Sequence, residues 1–409
     1  MCCSKSLVAW ISRPEPRAAI GLFFLLLAVG PLSSAEEPAA KELANEKLPK
    51  PKPVDAPPRS SIEAAMEKGI KFLLLDQNKD GSWGSAEKTK ELNIYAPVPG
   101  AHDAFRAAVT SLCISALCET GGDRQDIAAA IDRAEAWLVV NLPKVRRASG
   151  DAIYNVWTHA YGIEALVHLH ARRKGDAAKQ AEFKKLIAEQ IDFMRRYESV
   201  NGGWGYYDFK HQTQQPASMN TSFTTATGLI ALDHAKSIGV EIPSEMVKKA
   251  LDSMRRQQKG DLSYLYGEYL KYKPLHPVNR PGGSLGRSQA CNLALRIYGD
   301  PSITDTAITT WLDRLYARNL WLDIGRKRPI PHESWFAVAG YFFYYGHYYA
   351  ALITERLPEK ERPFYQDHLA HVLLPLQETD GSWWDYPLYN YHQQYGTAFA
   401  LMSLKRCLK

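Results

Sequence analysis

The tetrapeptide Asp-Gly-Ser-Trp occurs twice in this chain of 409 residues, at positions 80–83 and 380–383. Three related segments lie between the two copies, and the resulting series of aromatic anchors is Trp83, Trp204, Tyr264, Trp321 and Trp383. Successive anchors are 121, 60, 57 and 62 residues apart. One anchor is missing near position 143, and the spacing therefore predicts a unit of about 60 residues that occurs six times.

Each repeat contains two segments with helical periodicity, one on each side of its anchor. The first segment is amphipathic: Leu186, Ile187 and Ile191 share a face, while Lys185 and Glu189 fall on the other. The second segment is rich in Ala, Gly, Thr and aromatic residues and nearly free of charge, which predicts a buried helix. The amphipathic segments are predicted at 61–75, 127–142, 182–197, 245–258, 304–319 and 362–376, and the buried ones at 104–118, 157–170, 221–235, 287–298, 335–354 and 393–407.

This alternation predicts an all-α fold of six helical hairpins, an (α/α)6 toroid in which outer helices surround a ring of inner helices. An open solenoid of helix pairs would show the same pattern. Closure is favoured because the first and last repeats carry the same strong motif, whereas the ends of a solenoid are usually atypical. Aromatic residues of the inner helices, among them Tyr341 and Tyr345, are expected to line a hollow and contact a ligand there.

The N-terminal region has the pattern of a secretory signal. Basic residues precede an apolar run at 18–30, and the small-residue stretch PLSSA follows. The sequence therefore predicts a signal peptide at 1–35, with an uncleaved anchor as the alternative. Residues 36–60 are rich in Pro, Lys, Glu and Ala and are predicted to be a disordered linker, which leaves residues 61–409 for the toroid. Either reading predicts export to the periplasm, the cell envelope or the medium.

Composition excludes some partners and leaves others open. The formal net charge is +6, but no segment interleaves a dense basic cluster with aromatic residues, so nucleic acid is not an expected partner. No segment after the signal is long and apolar enough to span a membrane. The four cysteines beyond the signal lie in apolar stretches and are predicted to be buried and unpaired rather than a disulfide framework. They are Cys113, Cys118, Cys291 and Cys407.

Ionisable residues recur where the inner helices are predicted to begin. Histidine is not a preferred helix cap, so its presence at four of the six starts suggests a functional mouth of the ring. Helix N-termini also favour anions, and three consecutive basic residues precede one of them. The acid–base candidates are His102, Asp103, His159, Glu164 and Glu333; the candidate ligand-binding residues are Arg326, Lys327, Arg328, Trp335, Tyr341 and Tyr345; and the candidate metal ligands are His332 and His392.

The motif Gln-x-x-x-Gly-x-Trp, present at Gln77 to Trp83 and Gln377 to Trp383, resembles the repeat of squalene and oxidosqualene cyclases. The six helix pairs are also similar to the toroid that those cyclases share with the β subunits of protein prenyltransferases. The resemblance covers residues 60–409. It implies the fold more strongly than the reaction, because no two aspartates are adjacent in this chain and the Asp-x-Asp-Asp acid of the cyclases is missing.

The segment GRKRPIPHESWF at 325–336 resembles the prenyltransferase stretch that holds a diphosphate-binding Arg and two zinc ligands. The resemblance puts Arg326 in the place of that Arg, His332 in place of a zinc-binding Asp, and Ser334 in place of the zinc-binding Cys. His392 matches the third ligand. Zinc bound by both histidines, with Glu333 as an oxygen ligand, is thus a possible cofactor, but the thiolate that zinc activates is absent.

Three classes of function stay open at this point. The first is binding, with or without transformation, of a hydrophobic isoprenoid-like molecule in an aromatic central cavity. The second is a non-catalytic scaffold for proteins or cell-envelope polymers. The third is a polysaccharide lyase or hydrolase, which would need aromatic platforms for sugars and a Tyr/His or carboxylate pair.

Overall fold

The computed structural model describes residues 49–91, 100–148, 156–206 and 220–408. The predicted signal peptide and residues 36–48 of the predicted linker lie outside these ranges. Within them the chain forms helices, short 3₁₀ turns and loops, without a β-strand. The all-α prediction is therefore confirmed.

Six outer and six inner helices alternate along the described chain, as the sequence predicts. The outer helices, numbered 1 to 6, are Arg59–Leu75, Gln125–Asn141, Ala177–Arg196, Ser244–Gln257, Asp305–Ala317 and Arg362–Leu373. The inner helices, numbered 1 to 6, are Ala101–Thr120, Trp157–Arg172, Ser222–Ser237, Leu285–Ile297, Phe343–Thr354 and His392–Lys405.

The inner helices form a closed ring. Each packs against the next in chain order, and inner helix 6 packs against inner helix 1 as well as against inner helix 5. Each also packs against the outer helix of the next repeat, and in this way inner helix 6 packs against outer helix 1. The contact between the last and the first inner helix excludes the open solenoid.

The anchor tryptophans join the two helices of a repeat through two hydrogen bonds. The indole Nε1 of Trp83 donates to the carbonyl of Leu73, near the end of outer helix 1, at 2.8 Å, and its backbone N–H donates to Thr110 Oγ1 of inner helix 1 at 3.0 Å. Trp204 and Trp383 repeat both bonds with their own helices. All three rings are fully buried, so each anchor adds a large apolar contact to the polar ones.

The glutamine of the motif joins the first and the sixth repeat each to the repeat that follows it in the ring. Gln77 Nε2 donates to the carbonyl of Gly81 in its own loop and to that of Ala130 in outer helix 2, both at 2.9 Å. Gln377 makes the same pair of bonds, but its second acceptor is the carbonyl of Ala65 in outer helix 1, at 2.8 Å. Gln377 of the sixth repeat therefore binds the outer helix of the first repeat in the way that Gln77 binds the outer helix of the second. This contact closes the outer layer.

The fifth repeat departs from the prediction in two places. Trp321 is not a buried anchor, because it lies on the short helix Asn319–Asp323, half-buried against Phe336. Inner helix 5 begins at Phe343, not at position 335, because Phe336 and Ala337 adopt the left-handed φ values 60° and 53° and interrupt the helix. His332 and Glu333 consequently lie in a loop before the helix, and their predicted place at a helix start is wrong.

The predicted tyrosine hollow is filled, at the level of inner helix 5, by contacts across the ring. The Tyr345 hydroxyl donates to the carbonyl of Phe223 in inner helix 3 at 3.0 Å and lies 3.0 Å from Thr227 Oγ1. Its ring packs against Tyr349, and Phe399 of inner helix 6 lies 6.4 Å away between centroids. Tyr345 is buried and acts as a packing residue here.

Two other sequence predictions can be compared with the described residues. All four cysteines are free, and three of them are buried while Cys118 is half-buried, so the prediction of unpaired thiols is confirmed. None of the helices in the described ranges combines the length and apolar character needed to cross a bilayer.

The closure predicts an unusually large effect for Gly381→Ala. Gly381 has φ +92°, and a Cβ there would lie 2.5 Å from the carbonyl oxygen of Lys68 in outer helix 1, so we expect a loss of at least about 3 kcal/mol of unfolding free energy. The control is Gly122→Ala, at φ +56° with no atom within 4 Å, which should cost about 1–2 kcal/mol. Urea unfolding measures both, and equal losses would contradict the closing role of Gly381.

Candidate functional site

The loops that precede the inner helices meet around one mouth of the ring. Thr221 and Gly267 form a bridge between repeats 3 and 4, and Ser85 and Asn390 form one between repeats 1 and 6. Aromatic rings from repeats 2 to 6 pack together at this mouth, and we call them the collar: Trp157, Tyr206, Phe223, Tyr266, Tyr341 and Tyr386. Trp157, Tyr206 and Tyr341 are partly exposed, and the other three are buried. Neighbouring collar rings are 5.0–5.8 Å apart for Trp157–Tyr206, Trp157–Phe223, Phe223–Tyr266 and Tyr341–Tyr386.

A chain of hydrogen bonds runs through the collar and ends on a histidine. The hydroxyls of Tyr206 and Tyr266 are bonded to each other, Tyr266 is bonded to the Tyr341 hydroxyl at 3.0 Å, and Tyr341 is bonded to His332 Nε2 at 2.9 Å. His332 Nδ1 lies 2.8 Å from the carbonyl of Ala337. Because a carbonyl only accepts, Nδ1 carries the proton of the neutral ring and Nε2 accepts from Tyr341.

Burial keeps both partners of this pair uncharged at rest. It lowers the pKa of His332 from its ordinary value, with Arg287 and His276 adding a smaller repulsion, and it raises the pKa of Tyr341 well above its ordinary value. A neutral imidazole bonded to a neutral phenol can accept the phenolic proton at the moment when the phenol oxygen removes a proton from a bound molecule. The pair is therefore suited to general acid–base chemistry at the Tyr341 oxygen.

The loop that carries His332 is strained. Lys327, His332, Phe336 and Ala337 all have positive φ, and so does Tyr389 beside the mouth. Residues other than glycine held in this region cost about 1–3 kcal/mol each, and such strain clusters at functional sites. The loop holds His332 in place at that cost.

A buried cation lies behind the collar. The Arg287 guanidinium is almost completely buried and lies 5.8 Å from the centroid of the Tyr266 ring. It donates to the carbonyls of Tyr264, Gly283 and Val278, and no carboxylate of the described residues is within ion-pair distance. Burial lowers its pKa to about 10, so it stays protonated and favours negative charge on the tyrosine oxygens in front of it.

A second cation reaches the mouth from repeat 1. Lys90 Nζ donates to the Tyr386 hydroxyl at 2.7 Å and to the carbonyl of Pro329, and it lies 4.1 Å from the Tyr386 ring centroid. Burial lowers the pKa of Lys90 to about 8. Since the Tyr386 and Tyr341 rings are in contact, Lys90 brings a titratable positive charge close to the Tyr341–His332 pair.

His102 lies at the same mouth, on the side of repeats 1 and 6. Its Nδ1 is 3.1 Å from the Tyr391 hydroxyl, and its ring is edge-on to Tyr389 at 4.6 Å between centroids. The neighbouring Asp103 is exposed. Both residues are therefore located where the sequence put them, at the start of inner helix 1, although no hydrogen bond joins them to the Tyr341–His332 pair within the described ranges.

His159 and Glu164 do not belong to the mouth, although both lie on inner helix 2. His159 is fully buried, donates from Nδ1 to Gln190 Oε1 of outer helix 3 at 2.8 Å, and stacks on Phe193. Glu164 lies about one and a half turns further along and is bonded to His234 near the end of inner helix 3. The structure thus separates these two candidates from Asp103, which the sequence analysis grouped with them.

The three basic residues of the predicted anion site have protein partners. Arg326 is paired with Asp323 at 2.5 Å, and Lys327 is paired with Glu378 at 2.5 Å while lying over the Trp384 ring. Arg328 is exposed and donates to the carbonyl of Ile324 at 2.6 Å. Arg328 alone of the three has no carboxylate partner within the described chain.

The two histidines proposed for zinc do not form a metal site. Both nitrogens of His332 are hydrogen-bonded, and Nδ1 of His392 lies 2.7 Å from the carbonyl of Tyr389. The part of the chain that the structure describes contains no group of three His, Cys, Asp or Glu side chains placed to hold a metal. Glu333 and Trp335, from the same loop, are exposed.

Asp385 is an ionisable residue that the sequence analysis missed. It is fully buried, and burial raises its pKa to about 7. Its carboxyl accepts from the backbone N–H of Tyr344 at 3.0 Å and from the Tyr395 hydroxyl at 2.5 Å. Asp385 therefore holds the first turn of inner helix 5, the helix that follows the His332 loop, and its place after the repeat motif gave no signal of this role.

Comparison with known proteins agrees with the toroid and goes no further. No protein-family model and no curated protein matches the chain. Among solved structures, cellobiose 2-epimerase from Spirochaeta thermophila is similar with a TM-score of 0.57, 14% identity, and coverage of 86% of this chain and 96% of that one. The GH76A α-1,6-mannanase from Salegentibacter sp. HEL1_6 has a TM-score of 0.51, 10% identity, and coverage of 86% and 99%.

A type II terpene cyclase, MstE from Scytonema, covers 85% of this chain and 98% of its own at 13% identity, with a TM-score of 0.48. The fold is thus one that epimerases and glycoside hydrolases share, and these likenesses do not single out the squalene cyclase family.

The buried histidine predicts a pH-dependent stability. Burial lowers the pKa of His159 to about 4, so the folded state binds its proton less readily than the unfolded state, whose histidine titrates near 6.5. Its contribution is present above pH 6.5 and is lost as the pH falls towards 4, which amounts to about 2 kcal/mol between pH 7 and pH 5.

Urea unfolding at the two pH values tests this. His159→Gln should reduce the difference in unfolding free energy between pH 7 and pH 5 by about 2 kcal/mol, while His371→Gln, at an exposed position, should leave it unchanged. An unaltered difference in His159→Gln would show that this histidine is not buried in its neutral form.

Proposed function

We propose that the protein is an enzyme that acts on a carbohydrate polymer by proton transfer at the Tyr341–His332 pair. The observation that carries the proposal is the 2.9 Å bond between the Tyr341 hydroxyl and His332 Nε2 inside the aromatic collar. Aromatic faces are suited to stacking on sugar rings, and the pair supplies one transferable proton. The similarity in fold to a cellobiose epimerase and a mannanase is compatible with such a substrate.

The reaction class we propose is β-elimination from a uronate, a sugar whose carboxylate acidifies the adjacent C–H. The Tyr341 oxygen takes that proton while its own proton moves to His332 Nε2. The electrons of the C–H bond form a C=C bond, and the glycosidic C–O bond breaks. The leaving oxygen takes the proton from Tyr341, and His332 returns its proton to Tyr341, so that the enzyme ends as it began.

The charges around the pair support this class of substrate. Tyr266 can donate a hydrogen bond to a Tyr341 phenolate, and Arg287 behind Tyr266 stabilises negative charge there. Lys90 can pair with the substrate carboxylate and so stabilise the enolate that develops in the elimination. The predicted export would place this activity outside the cytoplasm, where cell-envelope polymers occur.

A hydrophobic isoprenoid-like ligand is the competing proposal. It would have to displace the cross-ring contacts of Tyr345, or bind above them at the collar. Native mass spectrometry of the purified protein, with elemental analysis, separates the two: a co-purified lipid would favour the hydrophobic ligand, and a bound oligosaccharide would favour the carbohydrate.

Replacement of the pair should abolish the elimination. We expect Tyr341→Phe and His332→Gln each to lower kcat by about 10²–10⁴-fold, because general acid–base catalysis contributes that much. The measurement is the ultraviolet absorbance of the unsaturated product with polygalacturonate, alginate and hyaluronan as substrates. Tyr348→Phe, further along inner helix 5, is the control. Wild-type protein that forms no unsaturated product, or Tyr341→Phe with full activity, would contradict the proposal.

The pH profile should report both ionisable groups. His332 must be neutral to accept a proton, and burial lowers its pKa. The midpoint of the acidic limb of kcat/KM should therefore lie below pH 6.5. The basic limb should lie near 8, where Lys90 loses its charge. Lys90→Arg should move the basic limb upward and keep the acidic one, whereas an unchanged basic limb would remove Lys90 from substrate binding.

A further inference from the structure

The exposed apolar side chains of the protein are concentrated beside the mouth. Of the large hydrophobic side chains that the described residues expose, seven fall in the two segments 269–275 and 320–335. The most exposed are Tyr272 at 85%, Leu320 at 78%, Leu275 at 75% and Trp335 at 67%. The other three are Tyr269, Ile324 and Ile330. Apolar side chains scattered singly need no explanation, but such a concentration marks an interaction surface.

The two segments belong to one packed unit, formed by the loops of repeats 4 and 5. The 3₁₀ turn Pro277–Asn279 contacts the 3₁₀ turn Trp335–Ala337, and the short helix Asn319–Asp323 contacts the turn Gly282–Ser284. At the centre, the Phe336 ring lies against the backbone of Gly282 and 4.9 Å from the Trp321 ring. The exposed apolar side chains therefore project from a folded platform, which we call the loop platform.

Basic residues are interleaved with the apolar ones on the loop platform. Lys271, Lys273, Arg280 and Arg328 are exposed, and none of them is in an ion pair within the described ranges. Lys271 Nζ lies 5.2 Å from the Tyr272 ring centroid. Of the acidic neighbours, Glu268 is paired with Arg256 and Asp323 with Arg326, while Glu333 is exposed without an ion pair among the described residues. The platform is thus apolar and positively charged at once.

We propose that the loop platform docks on the surface of a lipid bilayer that contains anionic headgroups. Tyr and Trp side chains favour the membrane interface, where one end of the ring is apolar and the other is wet. Long basic side chains bury their methylene stems and keep their charge at the headgroups. Docking on this platform needs no spanning helix.

A protein partner fits the platform less well. The cores of protein–protein interfaces are depleted of lysine, whereas Lys271 and Lys273 flank Tyr272, the most exposed aromatic side chain of the platform. An anionic bilayer accommodates both residue types, and each basic residue near such a surface strengthens partitioning by about fivefold. Because His332 lies in the same loop as Trp335, docking would hold the collar near the bilayer surface.

Photocrosslinking in the full chain tests the contact directly. Tyr272→p-benzoylphenylalanine should form adducts with radiolabelled lipid in vesicles of phosphatidylcholine and phosphatidylglycerol. The same replacement at Leu75, which is 77% exposed at the end of outer helix 1, should form none. This readout does not depend on how strongly the N-terminal apolar run binds, because the adduct reports contact at the labelled position. Absent adducts at Tyr272, or equal adducts at both positions, would overturn the proposal.

The charge requirement is tested with the same probe. Replacing phosphatidylglycerol by phosphatidylcholine, or combining the probe with Lys271→Gln and Lys273→Gln, should lower the adduct yield at subsaturating lipid by about 25-fold for the double replacement. Lys185→Gln and Lys248→Gln, on outer helices 3 and 4, are the matched control and should not change it. Equal yields on neutral and anionic vesicles would overturn the anionic part of the proposal. Self-association in sedimentation velocity that Trp335→Ser abolishes would instead assign the platform to a second copy of this chain.

Discussion

The hydrogen bond from Gln377 Nε2 to the carbonyl of Ala65 is the contact on which the architecture depends. In the first repeat, the corresponding glutamine, Gln77, joins its motif loop to the outer helix that follows it in the chain. In the sixth repeat no further outer helix follows, and the amide of Gln377 binds outer helix 1 instead. In the first, third and sixth repeats a tryptophan then fixes the outer helix to its inner helix through an indole N–H and a backbone N–H. The mouth and the loop platform are built from the loops between these fixed points, and the collar is built from the same loops and from the first turns of inner helices 2 and 3.

Most of the fold could be predicted from the sequence because it depends on local periodicity. The outer helices alternate apolar and charged residues, the inner ones carry few charges, and the anchors recur at a step of about 60 residues or twice that. The fifth repeat could not be predicted, because its structure depends on contacts from elsewhere. Asp385 of the sixth repeat holds the first turn of inner helix 5, and Phe336 leaves the helical region to pack against Gly282 of the fourth. Neither contact has a signature in the segment it reshapes.

The types of residue in the candidate site could be predicted from the sequence, but the hydrogen bonds between them could not. His332 and Tyr341 were each expected to be functional, one as a metal ligand and the other as part of a cavity wall, but their bond depends on the left-handed turns of an irregular loop. His159 and Glu164 were grouped with the mouth because they lie near the start of one helix. A helix turns about 100° per residue, and His159 faces outer helix 3 while Glu164 faces inner helix 3. The position of a residue along a helix could be predicted, but the direction of its side chain is defined only by the packing of the neighbouring helices.

The closed ring has a consequence for the way the protein comes apart. In an open array of repeats, stability is close to a sum of units and of contacts between neighbours, and unfolding begins at the ends, where a unit has one neighbour only. Here every helical pair has two neighbours, since inner helix 6 packs on inner helix 1. No repeat can fray until the ring has been opened at two interfaces together. Such a topology couples the six units into one cooperative block. The rate of unfolding is then set by the opening of the whole ring.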